Sequence, residues 1–171
     1  MQIGSTVVFL NSTPEYRVSL GQISRIFAAG LVPSLKPNDY LLTRDSDMFV
    51  LNNSHLFLPD GKEILCLNSD CCWWFKFKGE IFKMLPMSYI GARVHTWREI
   101  AGKIPENVQE IIEYVKSVLG YDIRNVTRDG SDRWFADQRL VSILVKRWDI
   151  NHGLKKVKYV KRNLPAKPKT K

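Results

Sequence analysis

Ser19-Leu20-Gly21-Gln22-Ile23-Ser24-Arg25-Ile26-Phe27-Ala28-Ala29-Gly30, a short Pro-containing link, and Asp39-Tyr40-Leu41-Leu42-Thr43-Arg44-Asp45-Ser46-Asp47 decide how this chain reads. Ser19 with Gln22 three residues later has the pattern of a capping box. Behind it Leu20, Ile23, Ile26, Phe27 and Leu31 recur at helical spacing, so the sequence predicts an amphipathic helix over 20–29. Gly30 suits the left-handed position that ends a helix, and Pro33 follows. Pro37-Asn38-Asp39 is a turn, and Tyr40 to Thr43 is apolar or β-branched, which predicts a buried strand. A helix of about ten residues feeding a buried strand is half of a parallel α/β unit, so the expected class is α/β.

The elements on either side continue that pattern. Thr6 to Leu10 reads as a short strand ended by Asn11-Ser12-Thr13-Pro14. Glu63 to Asn68, Cys72 to Phe77 and Glu80 to Met84 are strand candidates, with Lys78-Gly79 as a tight turn between the last two. Thr96-Trp97-Arg98-Glu99 has capping-box spacing for a short helix that Gly102 ends. Pro105 opens a stronger helix, with Val108, Ile111, Ile112, Val115, Val118 and Leu119 as one stripe and Gly120 as its stop. A last helix is expected from about Ser131 or Asp132, with Trp134, Val141, Leu144, Val145 and Trp148 on one side.

The chain has 171 residues, 44% apolar and 25% charged, which is ordinary globular composition and excludes a wholly disordered chain or a coiled-coil rod. No stretch approaches the roughly 20 apolar residues of a membrane-spanning helix. Met1-Gln2-Ile3-Gly4-Ser5 has neither the basic nor the apolar region of a secretory signal. Ten of the 26 Lys and Arg lie between Lys146 and Lys171 with Asp149 as the one acid, so the net charge of +9 belongs to that segment and the body is neutral. The expected division is a domain over 1–150 and a basic tail over 151–171, in which the alternation Val157-Lys158-Tyr159 could still pair as a short strand at a sheet edge. Such a tail can contact phosphate, nucleic acid or an anionic surface, or simply stay solvated. Cys66, Cys71 and Cys72 lack zinc-ribbon spacing. On a strand, adjacent Cys71 and Cys72 would point to opposite faces, leaving buried thiols or a disulfide to another part of the protein as the alternatives.

Asp45-Ser46-Asp47 carries the chemistry. In open α/β sheets ligands bind beyond the carboxyl ends of strands. Two carboxylates one residue apart, leaving a strand, can turn toward one divalent cation. Oxygen ligands suit Mg²⁺ or Mn²⁺, held by one or two carboxylates together with substrate phosphates. An arbitrary Asp-x-Asp is usually a solvated surface turn; the apolar strand leading into this one favours a delivered site. Trp73, Trp74, Phe75 and Phe77 interleave with Lys76 and Lys78, a pattern that can stack sugars or bases. The alternation of Phe75 and Phe77 with lysines also fits a half-buried strand.

The order helix, Pro-containing turn, then Asp39-Tyr40-Leu41-Leu42-Thr43-Arg44-Asp45-Ser46-Asp47-Met48 resembles the helix–strand–DXD segment of GT-A glycosyltransferases. Cys66 to Cys72, Met84-Leu85-Pro86-Met87-Ser88-Tyr89-Ile90-Gly91-Ala92 and Thr96-Trp97-Arg98-Glu99 are similar to the acceptor-side half of such enzymes. Arg133-Trp134-Phe135-Ala136-Asp137-Gln138 resembles their W-x-x-D-Q segment, and the likeness spans about Val7 to Trp148.

The resemblance implies a partial GT-A, Rossmann-like mixed sheet with flanking helices. It implies a nucleotide-diphospho-sugar donor, a glycan, lipid or protein acceptor, and Mn²⁺ or Mg²⁺ as cofactor. Asp45 and Asp47 would hold the metal and the diphosphate. Asp137 would act on the acceptor hydroxyl as general base or anchor, with Gln138 bonding sugar hydroxyls. His152-Gly153 followed by Lys155 is similar to the C-terminal His and Lys that some of these enzymes use for metal and diphosphate. The family's base-binding part precedes the DXD, and with 44 residues before Asp45 it is expected to be shortened. The family's membrane anchor is not recognisable in this chain, while sequons at Asn11, Asn52 and Asn125 would suit a Golgi-lumenal glycoprotein. Two other readings stand beside this one: an inactive remnant of the fold, and a nucleic-acid-binding module using the basic tail, against which the neutral body argues.

Overall fold

The computed structural model describes residues 7–45, 56–127 and 133–161. The helical stripe after Ser19 forms α1 (Arg17–Leu31), longer at both ends than its sequence signals predict. A 3-10 turn over Pro14–Tyr16 runs directly into it, so the helix is already under way at Arg17. Ser19 therefore lies inside the helix, where its hydroxyl donates back to the Tyr16 carbonyl at 3.0 Å. Gly30 does not end the helix either. A Cβ there would lie 2.0 Å from Cγ2 of Ile104, so the missing side chain admits a neighbour rather than a left-handed turn.

The chain continues as β1 (Tyr40–Leu42), β2 (Ile64–Leu67), β3 (Trp74–Phe77), β4 (Glu80–Lys83) and β5 (Ile90–Arg93). Then come α2 (Val94–Ala101), α3 (Val108–Leu119), α4 (Ala136–Asn151) and β6 (Val157–Val160). Four strands form a mixed sheet in the order β1-β5-β2-β6, and β3 and β4 form a separate hairpin. β5 pairs antiparallel with both β1 and β2, and β6 pairs parallel with β2. The molecule is thus mixed α/β with flanking helices. The helix-then-strand pattern predicts a parallel strand at 40–43; β1 instead lies at the sheet edge, antiparallel to β5, because the hairpin and β5 return the chain alongside it.

Three further expectations are corrected. Val7 to Leu10 forms no strand; Val7 and Phe9 are largely exposed, Phe9 at 88%. α2 starts at Val94 with no capping role for Thr96, because the Asp39 and Pro37 carbonyls already accept from the Val94 and His95 amides at 2.9 and 3.0 Å. The segment after Asn151 is not wholly a tail. Val157 is buried in the core, and β6 matches β2 over four positions, Ile64↔Val157 to Leu67↔Val160.

Cys71 and Cys72 sit in the turn before β3 rather than on a strand, and they are joined to each other as a disulfide; Cys66 is the buried free thiol. Asn107 caps α3, its Oδ1 accepting from the Glu110 amide at 3.0 Å, and Gly120 ends that helix in the left-handed region at φ 80°. The proposed helix start at Ser131 or Asp132 lies outside the described residues, and the described helix begins at Ala136.

The core is built where α1, α2, α3 and α4 meet the sheet. Ile23, Ile26, Phe27, Trp97, Ile111, Leu140 and Ile143 are all but inaccessible. α4 is buried at every position from Leu140 to Val145, so it is a central helix rather than a surface one. Its first turn is thereby fixed against α1. Among the described residues no helix is long and apolar enough to cross a membrane.

Candidate functional site

β1 delivers its carboxyl end to the first turn of α4. Beyond Leu42 the chain stays tied to β5: the Thr43 amide donates to the Ile90 carbonyl at 2.9 Å, and its buried hydroxyl meets the same residue at 3.2 Å. Arg44 and Asp45 follow directly. Asp47 lies outside the described residues, so the Asp-x-Asp pair is represented here by Asp45.

Arg25 joins this strand end to α4. Its Nη1 donates to Asp45 Oδ1 at 2.5 Å and to the Arg44 carbonyl at 3.1 Å. Its Nη2 donates to Asp137 Oδ2 at 2.8 Å, and its Nε to the Gln22 carbonyl at 3.1 Å. One guanidinium on α1 therefore bridges two carboxylates that are 92 residues apart in the chain. The planar fork of Arg suits this; a lysine ammonium could not reach both acids with fixed geometry.

The two carboxylates differ. The Asp45 side chain is 43% exposed and opens to solvent, whereas that of Asp137 is only 4% exposed. Burial pushes the Asp137 carboxyl above the usual aspartate range. Arg25 and the Gln138 amide, which donates to Asp137 Oδ1 at 2.8 Å, oppose that rise, and the charge of Asp45 adds to it. The site thus holds one open acid and one buried acid inclined to take up a proton.

Gln138 is fixed through its main chain. Its carbonyl accepts from the Ser142 hydroxyl at 2.5 Å, and that hydroxyl accepts from the Leu85 amide at 2.8 Å. Among the described residues its side-chain Oε1 is buried without a hydrogen-bond partner, as are Gln22 Oε1 on α1 and Arg44 Nε beside Asp45. Tyr40 Oη and Thr96 Oγ1 share that state, so such atoms are not confined to the Arg25 cluster. Gln138 also lines a cavity of about 210 Å³ with the Cys71–Cys72 disulfide, Trp73, Met84 and Phe135.

As to a metal, Asp45 Oδ2 carries no hydrogen bond among the described residues and belongs to a half-exposed side chain, so the donor chemistry fits a hard cation at that oxygen. Arg25 holds the other oxygen. No group of three or more His, Cys, Asp or Glu side chains converges among the described residues.

The sequence-predicted residues Asp45, Asp137 and Gln138 are brought together. His152 and Lys155 are not. They lie at the far end of α4, about 22 Å from Asp137 at 1.5 Å per helical residue. There His152 stacks on Trp148 at 4.1 Å, with Nδ1 2.8 Å from the Trp148 carbonyl and Nε2 3.5 Å from Glu99. The Lys155 carbonyl accepts from Lys62. Both belong to the turn that sends the chain from α4 into β6, which is why the loose likeness to a C-terminal His and Lys motif does not carry them to the site.

Arg25 is the residue that sequence reasoning passed over. A signal exists: in helical projection Gln22 falls inside the buried arc of α1 and Arg25 at its edge beside Ala29, an unusual place for a cation. Comparison of the chain with known protein families, curated proteins and solved structures finds no match.

Proposed function

We propose that the junction of the end of β1, α1 and the first turn of α4 is the reaction centre of a metal-dependent glycosyltransferase of the GT-A kind. It would transfer a sugar from a nucleotide-diphosphate donor to a hydroxyl acceptor. The observation that carries the reading is Arg25 bridging Asp45 at a strand end and buried Asp137 at a helix start. The resemblance assigns the donor to the first of these acids and the acceptor to the second.

Asp45, with Asp47, would hold Mn²⁺ or Mg²⁺. Such an ion supplies charge neutralisation for a diphosphate leaving group. Asp137 is the acid suited to the acceptor. Its raised pKa brings it closer to working pH than an ordinary aspartate, which favours general-base action. Each of its oxygens already accepts one hydrogen bond and keeps a lone pair for an acceptor hydroxyl. The hydroxyl proton would pass to Asp137 as the oxygen attacks the sugar carbon. The unpartnered Gln138 Oε1 would receive a second sugar hydroxyl. Arg25 keeps Asp137 ionised and oriented, a positioning role.

One observation favours the inactive remnant as the second reading. The Arg25 guanidinium occupies an Asp45 oxygen that a metal site could use. Calorimetric titration with UDP and GDP in the presence of Mn²⁺, followed by a transfer assay, separates the two. The active reading expects nucleotide binding that needs Mn²⁺, and an Asp137→Asn variant that binds nucleotide normally but transfers about 10²- to 10⁴-fold more slowly. Absence of metal-dependent nucleotide binding in the unaltered chain would leave the remnant.

A further inference from the structure

A second cavity, of about 450 Å³, lies elsewhere, between the β3–β4 hairpin, α4 and β6. Trp74, Ile81 and Tyr159 line it, all of them large side chains left substantially exposed, Trp74 at 66%. Lys83, Lys146 and Lys161 surround them, with Ser69 and a single acid, Asp70, in the same lining. Exposed aromatic surface ringed by cations is not a solubility device and marks a binding surface. We infer that this cavity is a subsite for an acidic saccharide, one whose sugar rings carry carboxylate or sulfate groups.

The hairpin register makes the surface. Phe75, Phe77 and Phe82 turn inward, leaving Trp74 directly across from Lys83 on the outer face. Trp and Tyr present electron-rich faces to the polarised C–H face of a sugar ring. The lysines keep donors in hand. Lys83 gives one hydrogen bond to the Cys72 carbonyl at 3.0 Å, and Lys146 gives two, to Glu80 at 3.1 Å and the Ile81 carbonyl at 3.2 Å. An ammonium has three N–H groups, so each retains at least one for an anion.

A compact diphosphate is a poorer fit. Lys83 stands on β4, Lys146 on α4 and Lys161 just past β6, so the three cations come from three separate elements. Anionic groups spaced along a sugar chain match separated lysines better.

The subsite goes beyond the glycosyltransferase reading and does not rest on it. Asp137 and Lys146 are about 2.5 helical turns apart on α4, which places them on opposite faces of the helix, so the cavity is separate from the Arg25–Asp137 pair. The smaller cavity at Gln138, Trp73 and the Cys71–Cys72 disulfide lies against the same hairpin.

The test is calorimetry with a chondroitin sulfate hexasaccharide, without nucleotide or metal, so that it fails independently of catalysis. The expected result is binding to the full chain, with maltohexaose at least about tenfold weaker. Trp74→Ala and Lys83→Gln should each weaken it about tenfold while leaving the melting temperature in place. Lys103→Gln, an equal charge change outside the cavity, should have no effect. The inference is overturned if the unaltered chain does not bind. It is equally overturned if maltohexaose or oligo(dT) binds as tightly, if UDP displaces the hexasaccharide, or if Lys103→Gln weakens binding as much as Lys83→Gln.

Discussion

Replacing Arg25 by Met keeps the length of the side chain and removes the charge that joins α1, the end of β1 and α4. Four acceptors lose a donor: Asp45 Oδ1, Asp137 Oδ2 and the carbonyls of Gln22 and Arg44. The exposed Asp45 carboxylate rehydrates and contributes little. Asp137 cannot rehydrate. Removing one partner of a buried pair typically costs about 3–5 kcal/mol. Asp137 keeps its bond from the Gln138 amide and can escape by taking a proton, so the lower part of that range applies, about 3 kcal/mol. For a domain of this size that is a fall in melting temperature of roughly 6–12 °C.

The pH dependence is the sharper readout. Burial already holds the folded-state pKa of Asp137 above its unfolded value. The folded state then keeps a proton that the unfolded chain has released. Stability accordingly falls as pH rises from the ordinary aspartate value through the raised one, and is level above it. Without Arg25 the chief opposing influence is gone, the raised value climbs, and the window extends toward neutrality. Thermal melts of Arg25→Met should therefore show the largest loss at about pH 7.5 and a smaller one at about pH 5. Adding Asp137→Asn should restore much of the lost stability, because a neutral amide replaces the stranded carboxylate. A loss that is independent of pH, or a double variant whose loss is the sum of the two singles, would refute the reasoning.

Two further outcomes are expected. A chain ending at Asn151 loses the β2–β6 ladder and the burial of Val157, and should melt roughly 6 °C or more lower, the equivalent of about 3 kcal/mol; an unchanged melting temperature would show β6 to be dispensable. Cys66 is fully buried, and burial pushes its thiol pKa well up, so iodoacetamide should label it only after unfolding; rapid labelling of the native protein would contradict its place in β2.

The helices and most strands were legible because their signals are local. The stripe from Leu20 to Leu31 and that from Val108 to Leu119 announce buried faces, and the alternation at Phe75 and Phe77 announces a half-buried strand. What was not legible depends on partners distant in the chain. β1 is antiparallel because β5 lies beside it, which no residue in Tyr40–Leu42 records. Thr96 looks like a cap until the Asp39 and Pro37 carbonyls take the Val94 and His95 amides, which starts the helix at Val94 and leaves Thr96 inside it. The alternation Val157-Lys158-Tyr159 allows a short edge strand, but it names no partner, and Val157 is held in the core by its pairing with Ile64. Asp45 and Asp137 were singled out from short motifs, and the structure brings them onto one guanidinium. Arg25 was not singled out, since a single cation in a helix has meaning only once its two acids converge on it.

The position of β6 also bears on how the chain is made. Its partner β2 is synthesised early, and Ile64 meets Val157 only after 93 further residues have been added. At about 5–20 residues per second, that leaves roughly 5–20 s in which the strand Ile64–Leu67 has one ladder edge with no native neighbour. Three of its four residues are buried in the finished molecule, so this nascent edge is both apolar and ready to pair with any other extended chain. The rate at which ribosomes traverse residues 68–156, and the presence of chaperones during that interval, should therefore influence the yield of native protein.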